Sequence, residues 1–148
     1  MATLTILGYN THLFGDPITI GGQFFPTFKD PTRAQKIAER IVASAADIVG
    51  LVEVWDDDLA DQIINLVKSV FPNSLRPPQG GEPRLILGNG LLILGWQHIN
   101  QFMFETYSDL AGPDYLSDKG FDVFSYTVNA GGRDMGKPGT SPTTTLLR

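Results

Sequence analysis

The fold is decided by one short stretch, DIVGLVEVW at residues 47–55. A strand with an almost unbroken run of apolar residues suits burial on both faces, as in a layered α/β domain. A helical pattern leads directly into it: Asp30-Pro31 suits a helix start, and apolar residues then recur at helical spacing from Ala34 to Ala45. We therefore predict a buried strand that is entered from an amphipathic helix.

A second apolar run, at residues 3–14, is too short and too rich in β-forming residues to favour a helix, and predicts another central strand. The order strand, helix, strand suggests a crossover unit. Downstream, Asp56, Asp57 and Asp58 precede a second amphipathic pattern that Pro72-Asn73 terminates. These acids are expected to cap the helix, and the alternative is that one of them reaches a metal through water.

The remaining segments predict loops and short strands. Residues 15–30 contain several Gly and Pro, which indicate a long surface loop. Its aromatic residues Phe24, Phe25 and Phe28 either anchor the loop or form an exposed apolar lip, and we favour anchoring. Further strands are expected at residues 91–94, 99–106 and 121–128.

Composition bounds the possible functions. The chain has 148 residues, 42% hydrophobic and 18% charged, which fits one compact domain with a core. A net charge of -5 opposes loose attraction to a polyphosphate, although a bound divalent cation can offset local negative charge. The absence of Cys excludes disulfides and cysteine nucleophiles. The first residues do not look like a secretory signal, and no apolar run is long enough for a membrane span.

Two polar residues stand out at the ends of the predicted central strands. Asn10 and Glu53 each follow an apolar run, and unpaired polar groups are costly to bury there. One carboxylate, one amide oxygen and several waters make a plausible magnesium site beyond the ends of the strands. The structural alternative is that Asn10 satisfies a turn and Glu53 pairs with a Lys or Arg. His12 shares a face with Asn10, so it is a candidate base, although a structural role or a substrate contact is favoured.

Four blocks in this order resemble the N-terminal part of the endonuclease/exonuclease/phosphatase superfamily: YNTHLF at 9–14, ADIVGLVEVW at 46–55, NGLLIL at 89–94 and DKGF at 118–121. The residues of these blocks are most similar to those of the neutral sphingomyelinase-like branch. The resemblance implies an α/β fold that is part of a four-layer α/β/β/α sandwich, with a mixed sheet and two helices on one face. It also implies that Asn10 and Glu53 help to place Mg²⁺ or Mn²⁺.

The chain departs from the family pattern in ways that bear on activity. The family's later Asp-x-Asn block and Asp-His pair have no match, so the C-terminal half of the domain is expected to be missing. Gly95 to His98 replace a Ser-Arg-x-Pro-like turn, and we expect His98 to be solvated. Lys119 could meet a phosphate or be surface only. Residues 1–130 are thus expected to form the N-terminal part of the domain, and residues 131–148 a Gly/Pro/Thr-rich tail.

Two functions follow as hypotheses. The first is a magnesium-dependent phosphodiesterase that acts on a phospholipid head group or a nucleic acid. We expect it to be incomplete in this chain and therefore a poor catalyst. The second is a non-catalytic half-domain that serves in binding or assembly. In either case we expect an exposed sheet face to be covered by a homo-oligomer or by the missing half.

Overall fold

A computed structural model describes residues 3–20, 23–77, 89–107 and 120–127. The helices and strands in chain order are β1 (Ile6–Leu13), β2 (Ile18–Ile20), β3 (Gln23–Phe25), α1 (Pro31–Ala43), β4 (Ile48–Val54), α2 (Asp57–Val67), β5 (Asn73–Leu75), β6 (Leu92–Gly95), β7 (Ile99–Thr106) and β8 (Gly120–Tyr126). Among these residues no helix is long and apolar enough to cross a membrane.

The central sheet has four strands in the order β1-β4-β6-β5. β1 and β4 are parallel, with Ile6 opposite Ile48 and Asn10 opposite Val52, and α1 forms the crossover between them. β6 pairs antiparallel with both β4 and β5, so the sheet is mixed. The predicted crossover unit and mixed sheet are therefore confirmed.

Both helices pack on one face of this sheet. The Asp30 carboxylate accepts a hydrogen bond from the Arg33 backbone N–H at 2.9 Å and caps α1 as predicted. Asp56 caps α2 in the same way, through the Leu59 N–H at 2.9 Å. The shared core consists of buried residues from the two helices and the central strands: Leu13, Ala34, Ile37, Ala38, Ile41, Ala46, Val49, Leu51, Val54, Leu59, Ala60, Ile63, Val67, Phe71, Leu92 and Leu94.

An antiparallel hairpin of β7 and β8 packs on the opposite face. Ile48 and Ile93 of the central sheet contact Ile99 and Tyr126 of the hairpin in a second, smaller core. Gly95 allows this approach, because a Cβ atom there would lie 2.8 Å from the Tyr126 ring. The described residues thus form three layers, helices, sheet and hairpin, which is part of the α/β/β/α sandwich that the resemblance implies.

The segment at 15–30 differs from the prediction. It contains the short hairpin of β2 and β3. Phe24 and Phe28 are 62% and 72% exposed, so the expectation that they anchor the segment is wrong. A hydrogen bond joins the two ends of the segment instead: the Thr27 hydroxyl donates to the Asp16 carbonyl at 3.1 Å. The Phe25 side chain lies outside the described part of the chain.

Two further differences concern the stretch after β4. α2 ends at Val67, before Pro72, in a turn in which the Val70 N–H donates to the Val67 carbonyl at 2.9 Å. β5 was not predicted, because its three residues contain one apolar side chain and carry no pattern of their own. The predicted tail at 131–148 lies outside the described residues.

Candidate metal centre

The candidate site lies where the parallel strands β1 and β4 end. Their regular pairing runs to Asn10 and Val52, shifts, and resumes at Leu13 and Val54. Within the irregular part His12 and Glu53 have φ values of 48° and 60°, in the left-handed region that residues other than Gly seldom adopt. Such strained backbone tends to occur at functional sites, where the surrounding structure holds it in place.

A buried threonine fixes this irregular turn. Thr11 is fully buried, and its Oγ1 lies 3.0 Å from both the Val52 and the Glu53 carbonyl oxygens. One hydroxyl proton is therefore shared between two carbonyls of the neighbouring strand. This contact holds β1 against the backbone of Val52 and Glu53 in β4.

The three residues predicted for the site lie together. His12 Nδ1 is 2.9 Å from Glu53 Oε2, and Asn10 Oδ1 accepts a hydrogen bond from the His12 backbone N–H at 3.1 Å. The His12 and Glu53 side chains are 67% and 34% exposed. We call Asn10, His12 and Glu53 the strand-end cluster. The alternative role is present for Asn10, which accepts a hydrogen bond within the turn, whereas the ion-pair partner of Glu53 is His12 and not the Lys or Arg of the alternative.

The donor chemistry of the cluster suits a hard divalent cation. Glu53 supplies a carboxylate, and the Asn10 amide oxygen has a second lone pair besides the one that His12 uses. Within the described ranges no group of three or more His, Cys, Asp and Glu gathers to hold a metal. A cation here would keep most of its hydration, which is the behaviour expected of Mg²⁺.

Residues that the sequence did not single out surround the cluster. The Phe14 ring packs edge-on against the His12 imidazole, with ring centroids 4.7 Å apart, and Phe14 also lies 6.2 Å from Trp55. From α1, Arg33 Nη1 donates to the His12 carbonyl at 3.1 Å, which places a guanidinium beside the cluster. Thr11 could have been found from its position, because it alternates with Leu13 on the buried face of β1.

The neighbouring acids act as the capping prediction expects. Asp56 caps α2 and lies 3.2 Å from Lys29 Nζ, while Asp57 pairs with Arg76. Asp58 also pairs with Lys29, and this hydrogen-bonded ammonium lowers the pKa of the Asp58 carboxyl. All three carboxylates thus have partners other than the strand-end cluster, and these contacts give no support to a water-mediated metal contact.

The third sequence block has a structural role. The buried Asn89 side chain donates to the Pro77 carbonyl and accepts from the Leu91 N–H, each at 2.9 Å. Gly90 then places its carbonyl oxygen 2.9 Å from the Val54 backbone nitrogen.

Outside the cluster, His98 is exposed, as predicted. Lys119 of the fourth block lies outside the described residues.

Comparison with known proteins supports the resemblance that the four blocks carry. No protein-family model matches the chain. It is 26% identical over 131 residues to sphingomyelinase C from Bacillus cereus, an alignment that covers 80% of this chain and 38% of that protein. Among solved structures, a hairpin-deletion mutant of beta toxin from Staphylococcus aureus matches with a TM-score of 0.70 and 18% identity over 86% of this chain and 48% of the toxin.

Two further structures agree. Sphingomyelinase C from Streptomyces griseocarneus matches with a TM-score of 0.62 and 20% identity over 88% of this chain and 46% of that one. A beta toxin double mutant from Staphylococcus aureus, solved with bound magnesium ions, matches with a TM-score of 0.69 and 19% identity over 87% and 46%. The chain therefore has a sphingomyelinase-like fold. It spans less than half the length of each of these proteins.

Proposed function

We propose that this chain provides the metal-holding part of a Mg²⁺-dependent phosphodiesterase that hydrolyses a phospholipid head group. The observation that carries the proposal is the strand-end cluster, in which Asn10 and Glu53 lie at the ends of adjacent parallel strands and both contact His12. Two comparisons support it: a relative named sphingomyelinase C, and a structural neighbour that contains magnesium. The phosphodiester is thus assigned to a lipid rather than to a nucleic acid, which also suits the chain's net charge of -5.

In this proposal the residues of the cluster have distinct roles. Asn10 and Glu53 hold the cation, which when bound stabilises negative charge on a phosphoryl oxygen. Glu53 Oε2 orients the His12 imidazole through Nδ1, so that Nε2 is the atom that exchanges a proton with water or with the leaving group. The Arg33 guanidinium adds positive charge beside the site of an anionic substrate.

Turnover by the chain alone is expected to be slow. Acid/base groups typically contribute about 10²–10⁴-fold to a rate, and His12 is the imidazole that the described part of the chain places in the cluster. A second candidate, a non-catalytic binding or assembly module, is favoured by the small donor set: the strand-end cluster holds one carboxylate, and within the described ranges no group of three or more His, Cys, Asp and Glu gathers.

Magnesium binding tests the site itself. Isothermal titration calorimetry of the purified chain with MgCl₂ should show one binding site. Glu53→Gln should weaken the Mg²⁺ affinity at least about tenfold, because mutation of even an outer-shell residue typically lowers metal affinity roughly 10–100-fold. Glu39→Gln is the matched control, because Glu39 is an exposed acid on α1 that bonds Gln35. Equal affinities for the wild type and Glu53→Gln, or no binding, would remove the assignment.

Hydrolysis separates the two candidate functions. Phosphocholine release from sphingomyelin is measured with Mg²⁺ and with excess EDTA, for the wild type and for Glu53→Gln. An enzyme should show turnover that EDTA and Glu53→Gln both abolish. Magnesium binding without turnover of this kind favours the non-catalytic module.

A further inference from the structure

We propose that Thr11 is a positioning residue for the cation: its buried hydroxyl holds the β4 backbone in the conformation that turns the Glu53 carboxylate out of the core and into the strand-end cluster. The proposal rests on the proposed function for the presence of a cation. The backbone conformation of Glu53 can be measured without any cation, so the two proposals can be tested separately.

β1 and β4 are joined irregularly at the site. On β1 the regular pairing stops at Asn10 and resumes at Leu13, whereas on β4 only Glu53 lies between the paired residues. Two residues of β1, Thr11 and His12, therefore stand opposite one residue of β4. This count defines a β-bulge, a feature that redirects side chains and is frequent beside functional sites. Because bulges are rare between parallel strands, we looked for the contact that stabilises this one.

The bulge determines the direction of the Glu53 side chain. Side chains alternate between the two faces of a strand. Val49 and Leu51 belong to the core beneath the helices, so unbroken alternation would direct Glu53 into that core as well. Val54 takes that position instead and is 3% exposed, whereas the Glu53 side chain is 34% exposed. The left-handed backbone of Glu53, with a φ of 60°, thus keeps a carboxylate out of an apolar environment in which its charge would be costly.

The Thr11 hydroxyl lies where it can hold this conformation. Thr11 is fully buried, and its Oγ1 lies 3.0 Å from the carbonyl oxygens of Val52 and Glu53, directly at the bulge. Left-handed backbone is unfavourable for residues other than Gly, so surrounding contacts must stabilise it. A valine would fill a similar space without a buried hydroxyl, which is costly unless it is hydrogen-bonded. Packing therefore does not require the hydroxyl, but the carbonyls of β4 make use of it.

A fixed Glu53 backbone matters because the cluster offers a cation few ligands. Glu53 supplies the carboxylate of the cluster, and Mg²⁺ demands ligands in nearly ideal octahedral positions. A ligand that is already held in place loses little conformational freedom when the cation binds. Without the Thr11 hydroxyl, Glu53 can relax towards extended backbone, which turns its carboxylate away from His12. Thr11 should therefore raise the affinity for Mg²⁺ although it does not touch the cation.

Magnesium affinity tests this role. In isothermal titration calorimetry with MgCl₂, Thr11→Val should bind roughly 10- to 100-fold more weakly than the wild type, the effect typical of residues that orient a metal ligand. Thr11→Ser keeps the hydroxyl and should bind as the wild type does. Ile63→Val is the matched control, because it destabilises the fold by removing a methyl group from a fully buried side chain of α2. Its Mg²⁺ affinity should not change.

The backbone of Glu53 provides a readout that needs no cation. In a residue with positive φ the Hα atom lies close to the amide proton of the same residue, which gives a strong intraresidue nuclear Overhauser effect. The wild type and Thr11→Ser should show this effect at Glu53, and Thr11→Val should show a weakened one. Circular dichroism verifies that each variant folds. Thr11→Ala, which also removes the hydroxyl, replaces Thr11→Val if that variant does not fold.

Three results would overturn the proposal. These are equal Mg²⁺ affinity of Thr11→Val and the wild type, equal losses of affinity in Thr11→Val and Ile63→Val, and an unchanged Overhauser effect at Glu53 in Thr11→Val. A wild type that binds no Mg²⁺ overturns the proposed function instead. The Overhauser effect then still decides whether the Thr11 hydroxyl positions Glu53.

Discussion

Gly90, in the sequence block at 89–94, packs closely against Trp55, in the block at 46–55. Its φ is 68°, and a Cβ atom there would lie 2.8 Å from the Trp55 ring. Gly90→Ala should therefore destabilise the protein by about 1–3 kcal/mol. Alanine is strained in the left-handed backbone conformation, and its methyl group must displace the Trp55 indole. Urea denaturation followed by far-UV circular dichroism measures this difference.

Gly50→Ala is the matched control for that experiment. Gly50 lies in β4, its φ is outside the left-handed region, and no atom stands within 4 Å of the position of a Cβ. Its free energy of unfolding should stay within about 0.5 kcal/mol of the wild type. A similar loss for both variants would show that glycine at position 90 has no special backbone role.

At this scale the sequence predicted the members of the strand-end cluster but not its geometry. Asn10, His12 and Glu53 follow from alternation along a strand and from the adjacency of parallel strands. The irregular pairing of β1 with β4, and the Thr11 hydroxyl shared between two carbonyls, depend on how two distant segments meet. No local pattern in either segment encodes that meeting.

At the scale of elements, the start of α2 should respond to pH through Asp58. The hydrogen-bonded Lys29 ammonium lowers the pKa of Asp58 below its ordinary 3.8, and Asp58 raises the pKa of Lys29 above 10.5. The stability that the pair contributes is present between these ordinary values. It is lost as pH falls through the lowered pKa of Asp58, or rises through the raised pKa of Lys29.

Asp58→Asn should therefore lower the melting temperature slightly at pH 7 and should have a smaller effect at pH 3. The effect is small because the Asp58 side chain is largely exposed. Thermal melts at the two pH values measure it, with Glu39→Gln on α1 as a control that removes an exposed charge bonded to an amide. An equal change in melting temperature at both pH values would contradict the role of the pair.

Long periodic elements were predictable, and very short ones were not. Both helices, β1, β4, β6, β7 and β8 follow from periodicity and capping residues. The three-residue strands β2, β3 and β5 are too short for a period to develop, so pairing with a neighbour defines them. Phe24 and Phe28 were misjudged for a related reason: apolar character by itself does not show whether a side chain in a loop is buried, and both rings are exposed.

On the scale of the whole molecule, the stacking of the layers was predicted from the resemblance to the endonuclease/exonuclease/phosphatase superfamily and not from hydrophobic periodicity. Apolar runs predict that the central sheet is buried on two faces, but not which elements cover each face. The helices cover one face, and the hairpin of β7 and β8 covers part of the other. Ile6 of β1 and Val52 of β4 remain 56% and 40% exposed. The domain boundary near residue 130 stays a prediction.

The junction of the second layer with the third depends on one hydroxyl. Tyr126 is buried, and its OH donates to the Asp47 carbonyl at 2.8 Å and accepts from the Gln97 N–H at 2.9 Å. Tyr126→Phe keeps the ring in the smaller core but leaves the Gln97 donor without this acceptor. We expect a loss of about 1–2 kcal/mol in the free energy of unfolding, measured by urea denaturation.

Tyr107→Phe is the control, because Tyr107 follows β7, is 49% exposed, and packs its ring on Phe121. Removal of its hydroxyl should change stability by less than about 0.5 kcal/mol. If Tyr126→Phe were equally neutral, apolar contacts such as those of Ile48, Ile93 and Ile99 would hold the hairpin on the sheet without help from this hydroxyl. A selective loss in Tyr126→Phe would instead establish that the hydrogen bonds of this hydroxyl fix the position of the hairpin on the sheet that carries the strand-end cluster.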